Sequence, residues 1–177
     1  MSTDALWDFG RGSGVVALVL VTVSVVLGIL TRRGEPVAGL PRFAVTEVHR
    51  NASLLSVVFL ALHVGLLLFD RYAQLRIFDL VVPFAGDYRP FWQGLGTVAL
   101  DLLVALVVTS LLRQRLGRRT WRAVHWLAYA MWPVAVAHSL GTGTDAFSAW
   151  FLAIAAVCVA AVLGAAGWRF TRKELVS

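Results

Sequence analysis

Four histidines carry the chemistry that can be read in this 177-residue chain. His49 and His63 lie 14 residues apart, His125 and His138 lie 13 apart, and all four fall within long apolar stretches or at their ends. Neutral imidazole nitrogen is a common ligand of haem iron. If the two stretches are helices running in the same direction, His49 and His125 share one level and His63 and His138 share another. At 1.5 Å per residue the two levels stand roughly 20 Å apart. Two imidazoles per level, one from each helix, are what a six-coordinate, bis-histidine iron needs. No C-x-x-C-H motif is present for covalent attachment and the only cysteine is Cys158, so the haems expected are two of the b type, held by coordination and packing.

Rotation tests the pairing. At about 100° per residue, 14 residues return to within about 40° of the starting face, so one helix can present His49 and His63 to the same neighbour. Thirteen residues leave a straight helix about 140° off. The stretch carrying His125 and His138 must therefore be irregular between them. Pro133 lies in that interval, and proline removes a backbone hydrogen bond and kinks or rewinds a helix, so a distortion is expected near it.

The plainer reading makes the histidines polar glue between helices, at about 0.6–2 kcal/mol per contact. Four unpaired imidazoles in lipid would instead cost roughly 1–3 kcal/mol each. A non-haem metal centre is disfavoured, because no Asp, Glu or Cys lies close enough on these stretches to complete two separate shells. Met131 is a further possible axial ligand, though four histidines leave no need for it. Phe59, Met131 and Trp132 lie between the two levels, and core packing is their simplest role. Gly65 and Ala52 either admit a flat macrocycle or let helices pack closely. Arg50, Arg122 and Arg89 are candidates for haem propionates, since guanidinium suits carboxylate, with Arg71 a further one outside. For Arg122 a membrane anchor serves as well.

The elements that would position these residues are membrane helices. Apolar residues make up 59% of the chain and charged residues 15%, too few charges for an ordinary soluble domain. A helix crossing about 30 Å of hydrocarbon needs about 20 mostly apolar residues. Five stretches come close, at about 14–31, 45–69, 91–112, 120–140 and 147–170. The fold expected is all-α, a single transmembrane bundle over 1–177. The first apolar run reads as a true span rather than a cleaved signal, because no A-x-A-like site follows it. Between the third span and its predecessor, the semi-apolar piece 75–84, punctuated by Pro83 and followed by Pro90, is expected as a short interfacial helix or a plain connector.

The net charge of +6 would suggest nucleic acid in a soluble protein. Here the arginines sit in short loops and read as topology signals, so no nucleic-acid partner is expected. Arg32, Arg33 and Arg42 follow the first span; Arg113, Arg115, Arg118, Arg119 and Arg122 join the third to the fourth; Arg169, Arg172 and Lys173 follow the fifth. Asp4, Asp8, Asp70, Asp79, Asp87 and Asp145 mark the other side, mixed with Arg11, Arg71, Arg76 and Arg89. The positive-inside rule puts the N-terminus outside and the C-terminus in the cytoplasm, in a bacterial plasma membrane. Trp92, Trp121, Trp126 and Trp168 lie near span ends, as an aromatic belt does.

The segments HRNASLLSVVFLALH, VVPFAGDYRPFWQGLG and WRAVHWLAYAMWPVAVAHSLGTGTD resemble the ferric reductase-like transmembrane domain family. That family includes the membrane half of NADPH oxidases and metal reductases, and the haem subunit of bacterial methionine sulfoxide reductases. The resemblance spans about 45–145. It implies that His49 and His63 match the family's first ligand pair and His125 and His138 its second. Many relatives have six spans, and five are counted here. The oxidases continue into a flavin and nicotinamide domain, whereas this sequence ends in TRKELVS and has no G-x-G-x-x-G for NADPH.

The function expected is transmembrane electron transfer from a cytoplasmic to an outer haem, as the oxidoreductase subunit of a reductase. The implied partners are lipid, a separate donor protein or quinol, and an outer acceptor such as an extracytoplasmic flavoprotein. The alternatives are a haem transporter or chaperone and a cofactor-free structural subunit.

Overall fold

The computed structural model describes residues 3–31 and 41–174, with side chains from 5 to 169. Arg32 and Arg33, expected as topology signals, lie outside the described residues, as do the side chains of Asp4, Arg172 and Lys173. Among the described residues every regular element is a helix, with no strand. The helices are α1 (Thr3–Thr31), α2 (Arg42–Leu68), α3 (Pro90–Leu111), α4 (Arg113–His125), α5 (Ala128–Thr142) and α6 (Ala149–Glu174).

The sequence of α1 is rich in Val and Thr, which in water would favour a strand. In hydrocarbon an isolated strand leaves its backbone polar groups unpaired, and a helix satisfies them within itself. Thr22 and Thr31 turn their hydroxyls back onto the carbonyls of Leu18 and Leu27, so they add no unpaired donor. Among the described residues four helices are each long and apolar enough to cross a membrane: α1, α2, α3 and α6. This is a helical membrane protein.

α1 is the central helix. It packs against α2, α5 and α6, and Ala17, Leu18, Val21, Val25 and Ile29 are buried there. α3 packs against α5. The core joins these layers through Ala99, Leu106, Met131, Trp132, Val136 and Cys158. Trp132 donates its indole N–H to the Thr22 hydroxyl at 2.9 Å, tying α5 to α1 at mid-depth. α2 packs mainly on α1, and its two histidines face His125 of α4 and His138 of α5.

The stretch expected as one continuous fourth span, 120–140, is instead broken into α4 and α5 at Trp126–Leu127. Here the backbone takes 3₁₀ values, φ/ψ of −65/−22 and −62/−18. Leu127, Tyr129 and Ala130 donate to the carbonyls three residues back, those of Val124, Trp126 and Leu127. The irregularity therefore precedes Pro133 by about two turns, and α5 runs on through the proline. α4 carries a second break at Gly117, whose φ of 75° is open to glycine and costly for other residues. No residue of α4 is buried, and its arginines face outward.

The connector before α3 folds into a short 3₁₀ helix, Ile77–Leu80, within the piece expected to be an interfacial helix or a plain connector. Asp79 anchors it. Its carboxylate is 2% exposed and accepts from the Arg76 guanidinium and backbone N–H, while its carbonyl accepts the Thr97 hydroxyl of α3 at 2.7 Å. Arg76 also reaches the Ala85 carbonyl and Asp87. Arg89, at φ 41°, turns the chain into Pro90 at the first helical position of α3.

Arg76 holds the Asp79 carboxyl below its ordinary value of 3.8, chiefly through their side-chain hydrogen bond. A carboxyl depressed in the folded state stabilises above its unfolded value and loses that contribution as pH falls through the lower folded value. The loop is expected to loosen below about pH 4, seen as faster amide exchange across residues 76–85. Asp79→Asn should exchange faster already at neutral pH and show no acid step.

Candidate functional site

The histidines meet in two pairs, His49 of α2 with His125 at the end of α4, and His63 of α2 with His138 of α5. The ring centroids of His49 and His125 are 6.4 Å apart with planes at 72°. Those of His63 and His138 are 6.4 Å apart at 81°. Antiparallel α1 and α3 flank the pairs, and α2 and α5 run parallel, so the pairs lie at two levels along the bundle.

The broken helix explains how 13 residues can do the work of 14. A 3₁₀ turn winds at about 120° per residue against about 100° for an α-helix, so overwinding across the five steps from His125 to Ala130 adds up to about 100°. That offsets most of the roughly 140° by which a straight helix would miss. The greater 3₁₀ rise also takes the spacing from His125 to His138 from about 20 Å to about 22 Å, close to the roughly 21 Å between His49 and His63 on α2.

Three of the four rings are fixed by backbone carbonyls. His49 Nδ1 donates to the Ser24 carbonyl at 2.9 Å, His63 Nδ1 to that of Gly10 at 2.6 Å, and His138 Nδ1 to that of Trp92 at 2.8 Å. A carbonyl can only accept, so in each neutral ring Nδ1 carries the proton and Nε2 keeps its lone pair. His125 is oriented by its own helix, with the Trp121 ring stacked on it at 5.0 Å.

The receiving helix α1 repeats at the same interval as α2. Gly10 and Ser24, whose carbonyls hold the rings, are 14 residues apart, and so are Gly14 and Gly28. A Cβ at Gly14 would lie 2.7 Å from His63 Nδ1, and one at Gly28 would lie 3.7 Å from the His49 ring. On α3 a Cβ at Gly96 would lie 2.5 Å from His138 Cε1. The glycines at 14 and 96 thus let two backbones press against the His63–His138 pair. None of these α1 and α3 residues was singled out from sequence. The signal was there in the 14-residue interval between Gly14 and Gly28, which mirrors the histidine interval on the next helix.

The His63–His138 pair opens into a cavity of about 210 Å³. Its apolar walls include Leu100, Leu103, Met131 and Ala135, and its polar end includes Arg11, Tyr88, Gln93 and Asp145. The Gln93 amide is buried with no hydrogen-bond partner at either Nε2 or Oε1. Arg11 pairs with Asp145.

The other residues singled out from sequence divide. Met131 and Trp132 are buried in the core between the levels, and Ala52 is buried while Gly65 faces open space. Arg50 extends from the surface of α2 and is paired with Glu47. Arg122 is exposed one turn before His125, and Arg89 donates to the Gly141 carbonyl at 2.6 Å. The Trp92 ring, expected in an aromatic belt, lies against Gly141, where a Cβ would clash with it.

Could these residues hold haem? An imidazole nitrogen sits about 2 Å from a bound metal and the ring centroid roughly 1 Å behind it, so two rings gripping one iron have centroids about 6 Å apart. Both pairs meet that spacing. Among the described residues no three of His, Cys, Asp and Glu converge, and the histidines gather in twos. Two is the number of axial positions that a porphyrin leaves for the protein.

The model of the ferric reductase-like transmembrane component family matches residues 13–136. The chain belongs to that family. The matched stretch holds His49, His63 and His125 and stops two residues short of His138. No curated protein and no solved structure matches the chain. Domains of this family generally bind haem, and membership makes the protein a membrane redox subunit in general.

Proposed function

We propose that the chain binds two b-type haems, one between His49 and His125 and one between His63 and His138, and conducts electrons across the membrane as the haem subunit of a reductase. The observation that carries this reading is the twofold facing of imidazoles at 6.4 Å, with three of the rings locked by carbonyls. Metal-ligating histidines usually donate their other nitrogen in this way, which fixes the ring and raises its basicity. A haem carrier that must release its cargo would gain nothing from rings so anchored.

Haem supplies one-electron chemistry when bound. The protein's share is to hold the imidazoles, keep water from the corridor between the levels and place charge at the two ends. Leu18, Val21, Met131 and Trp132 are the buried apolar residues there. Imidazoles facing each other from both sides would leave a substrate no approach between them, so an acceptor would have to meet the site at its edge. At the outer level the Gln93 amide, which has no competing partner, would hold a propionate edge, whereas Arg11 and Arg89 would first have to leave Asp145 and the Gly141 carbonyl. At the inner level Arg122 is better placed than Arg50, which is committed to Glu47.

The orientation proposed is N-terminus outside and C-terminus cytoplasmic. The exposed arginines of α4 cluster beside His125, and Asp70, Asp79, Asp87 and Asp145 lie toward the opposite end. An inside-negative potential then favours outward electron movement by about 2.3 kcal/mol per 100 mV. The donor is a separate protein or quinol, and the acceptor an outer protein such as a flavoprotein.

The test is the absorption spectrum of purified protein, oxidised and reduced, with a haem count by pyridine haemochrome. Two low-spin haems per chain are expected. Protein expressed with ample haem that purifies colourless would overturn the reading.

A further inference from the structure

Asp101 is the eleventh residue beyond Pro90 in a 22-residue helix, at the centre of α3. His138 meets α3 at Trp92 and Gly96, and Trp121, one turn before His125, meets it at Ser110. Asp101 therefore lies about midway between the two histidine levels, deep in the apolar zone. It is exposed. It does not line the central cavity.

The face that bears it changes character along the helix. Gly94 and Thr97 are covered by the outer connector, through Phe84 and the Asp79 carbonyl. Below them Asp101, Val104, Val108 and Leu111 follow at helical spacing, and all four are exposed. Valine and leucine suit lipid. A carboxylate at that depth does not, and ionisable residues within membrane spans ordinarily pair with one another or face a polar interior.

Among the described residues there is no basic partner at that level. The basic residues nearest in depth are Arg11, at the outer histidine level, and Arg50, at the inner one; they are paired with Asp145 and Glu47. A parallel second copy would bring the same residues at the same depths.

We infer that the lower α3 face, Asp101, Val104, Val108 and Leu111, docks a transmembrane helix of a different membrane protein, one carrying an arginine or lysine at mid-membrane that pairs with Asp101. The apolar residues supply the packing and the charge pair supplies register and selectivity. This inference does not depend on haem.

The test places p-benzoylphenylalanine at position 104 of the full-length chain in its native membranes, with the same group at the exposed position 163 of α6 as control. Irradiation at 104 should give one discrete protein adduct whose partner, by mass spectrometry, has a basic residue in the middle of a transmembrane helix. The control position should give lipid adducts only. Asp101→Glu should keep the adduct, and Asp101→Leu should cut its yield at least tenfold. Asp101→Leu suits a helix in lipid, and equal membrane yield and helical circular dichroism would show that it folds. An adduct of two copies of this chain, lipid adducts alone at 104, or an adduct indifferent to Asp101→Leu would each overturn the proposal.

Discussion

His63→Ala is expected to lower the haem content from about two to about one per chain and to abolish electron transfer to an impermeant outer acceptor. The substitution leaves His138 without the imidazole that faces it at 6.4 Å. It also enlarges a cavity whose walls are mostly apolar. A single imidazole holds b-type haem less firmly than two, so the outer site should empty on purification or turn high-spin. The inner pair lies about 21 Å away along α2 and shares no ring contact with His63, so it should keep a low-spin spectrum. His49→Ala should give the reciprocal result, losing the inner signal and keeping the outer one. Pyridine haemochrome counts, low-temperature difference spectra and reduction of an impermeant acceptor by vesicles read the three quantities separately. Two unperturbed low-spin haems in His63→Ala would rule out the assigned pairing.

The parts of this molecule legible in the sequence are those written in periodicity. Long apolar runs declare helices because lipid allows little else, and the 14-residue histidine interval declares a shared face. The 13-residue interval announced a distortion, yet the proline pointed to the wrong place. The overwinding sits at Trp126–Leu127, where no residue type flags it, because 3₁₀ and α backbones suit the same side chains. The carbonyls of Gly10, Ser24 and Trp92 were invisible for a simpler reason: every residue has one, and only the packing selects which meets an imidazole.

Charge misled in both directions. Asp79 reads as one of several loop acids and proves to be the most deeply buried of them, pinned by Arg76 and α3. Arg50, beside His49 in sequence, points away along the helix surface to Glu47. Adjacent residues on a helix are about 100° apart, so a neighbour in sequence is seldom a neighbour at the site.

The glycines around the outer pair should be far more sensitive than those around the inner pair. Gly96→Ala puts a methyl 2.5 Å from the His138 ring, and Gly14→Ala puts one 2.7 Å from that of His63. Neither ring can retreat freely, because its Nδ1 is held by the carbonyl of Trp92 or Gly10. Something must yield: the carbonyl bond, the helix spacing or the grip on iron. Each substitution should cost the outer haem, seen as loss of about one haem per chain or its conversion to high spin. Gly28→Ala meets the His49 ring at 3.7 Å, an ordinary contact, and should leave both haems in place. Gly164→Ala on the exposed face of α6 meets nothing and should raise helix stability by up to about 1 kcal/mol. A purely architectural role for these glycines predicts something else, namely lower thermal stability in all the packed variants with haem content unchanged. The separation of haem count from melting temperature across the four variants decides between a helix contact and a ligand support.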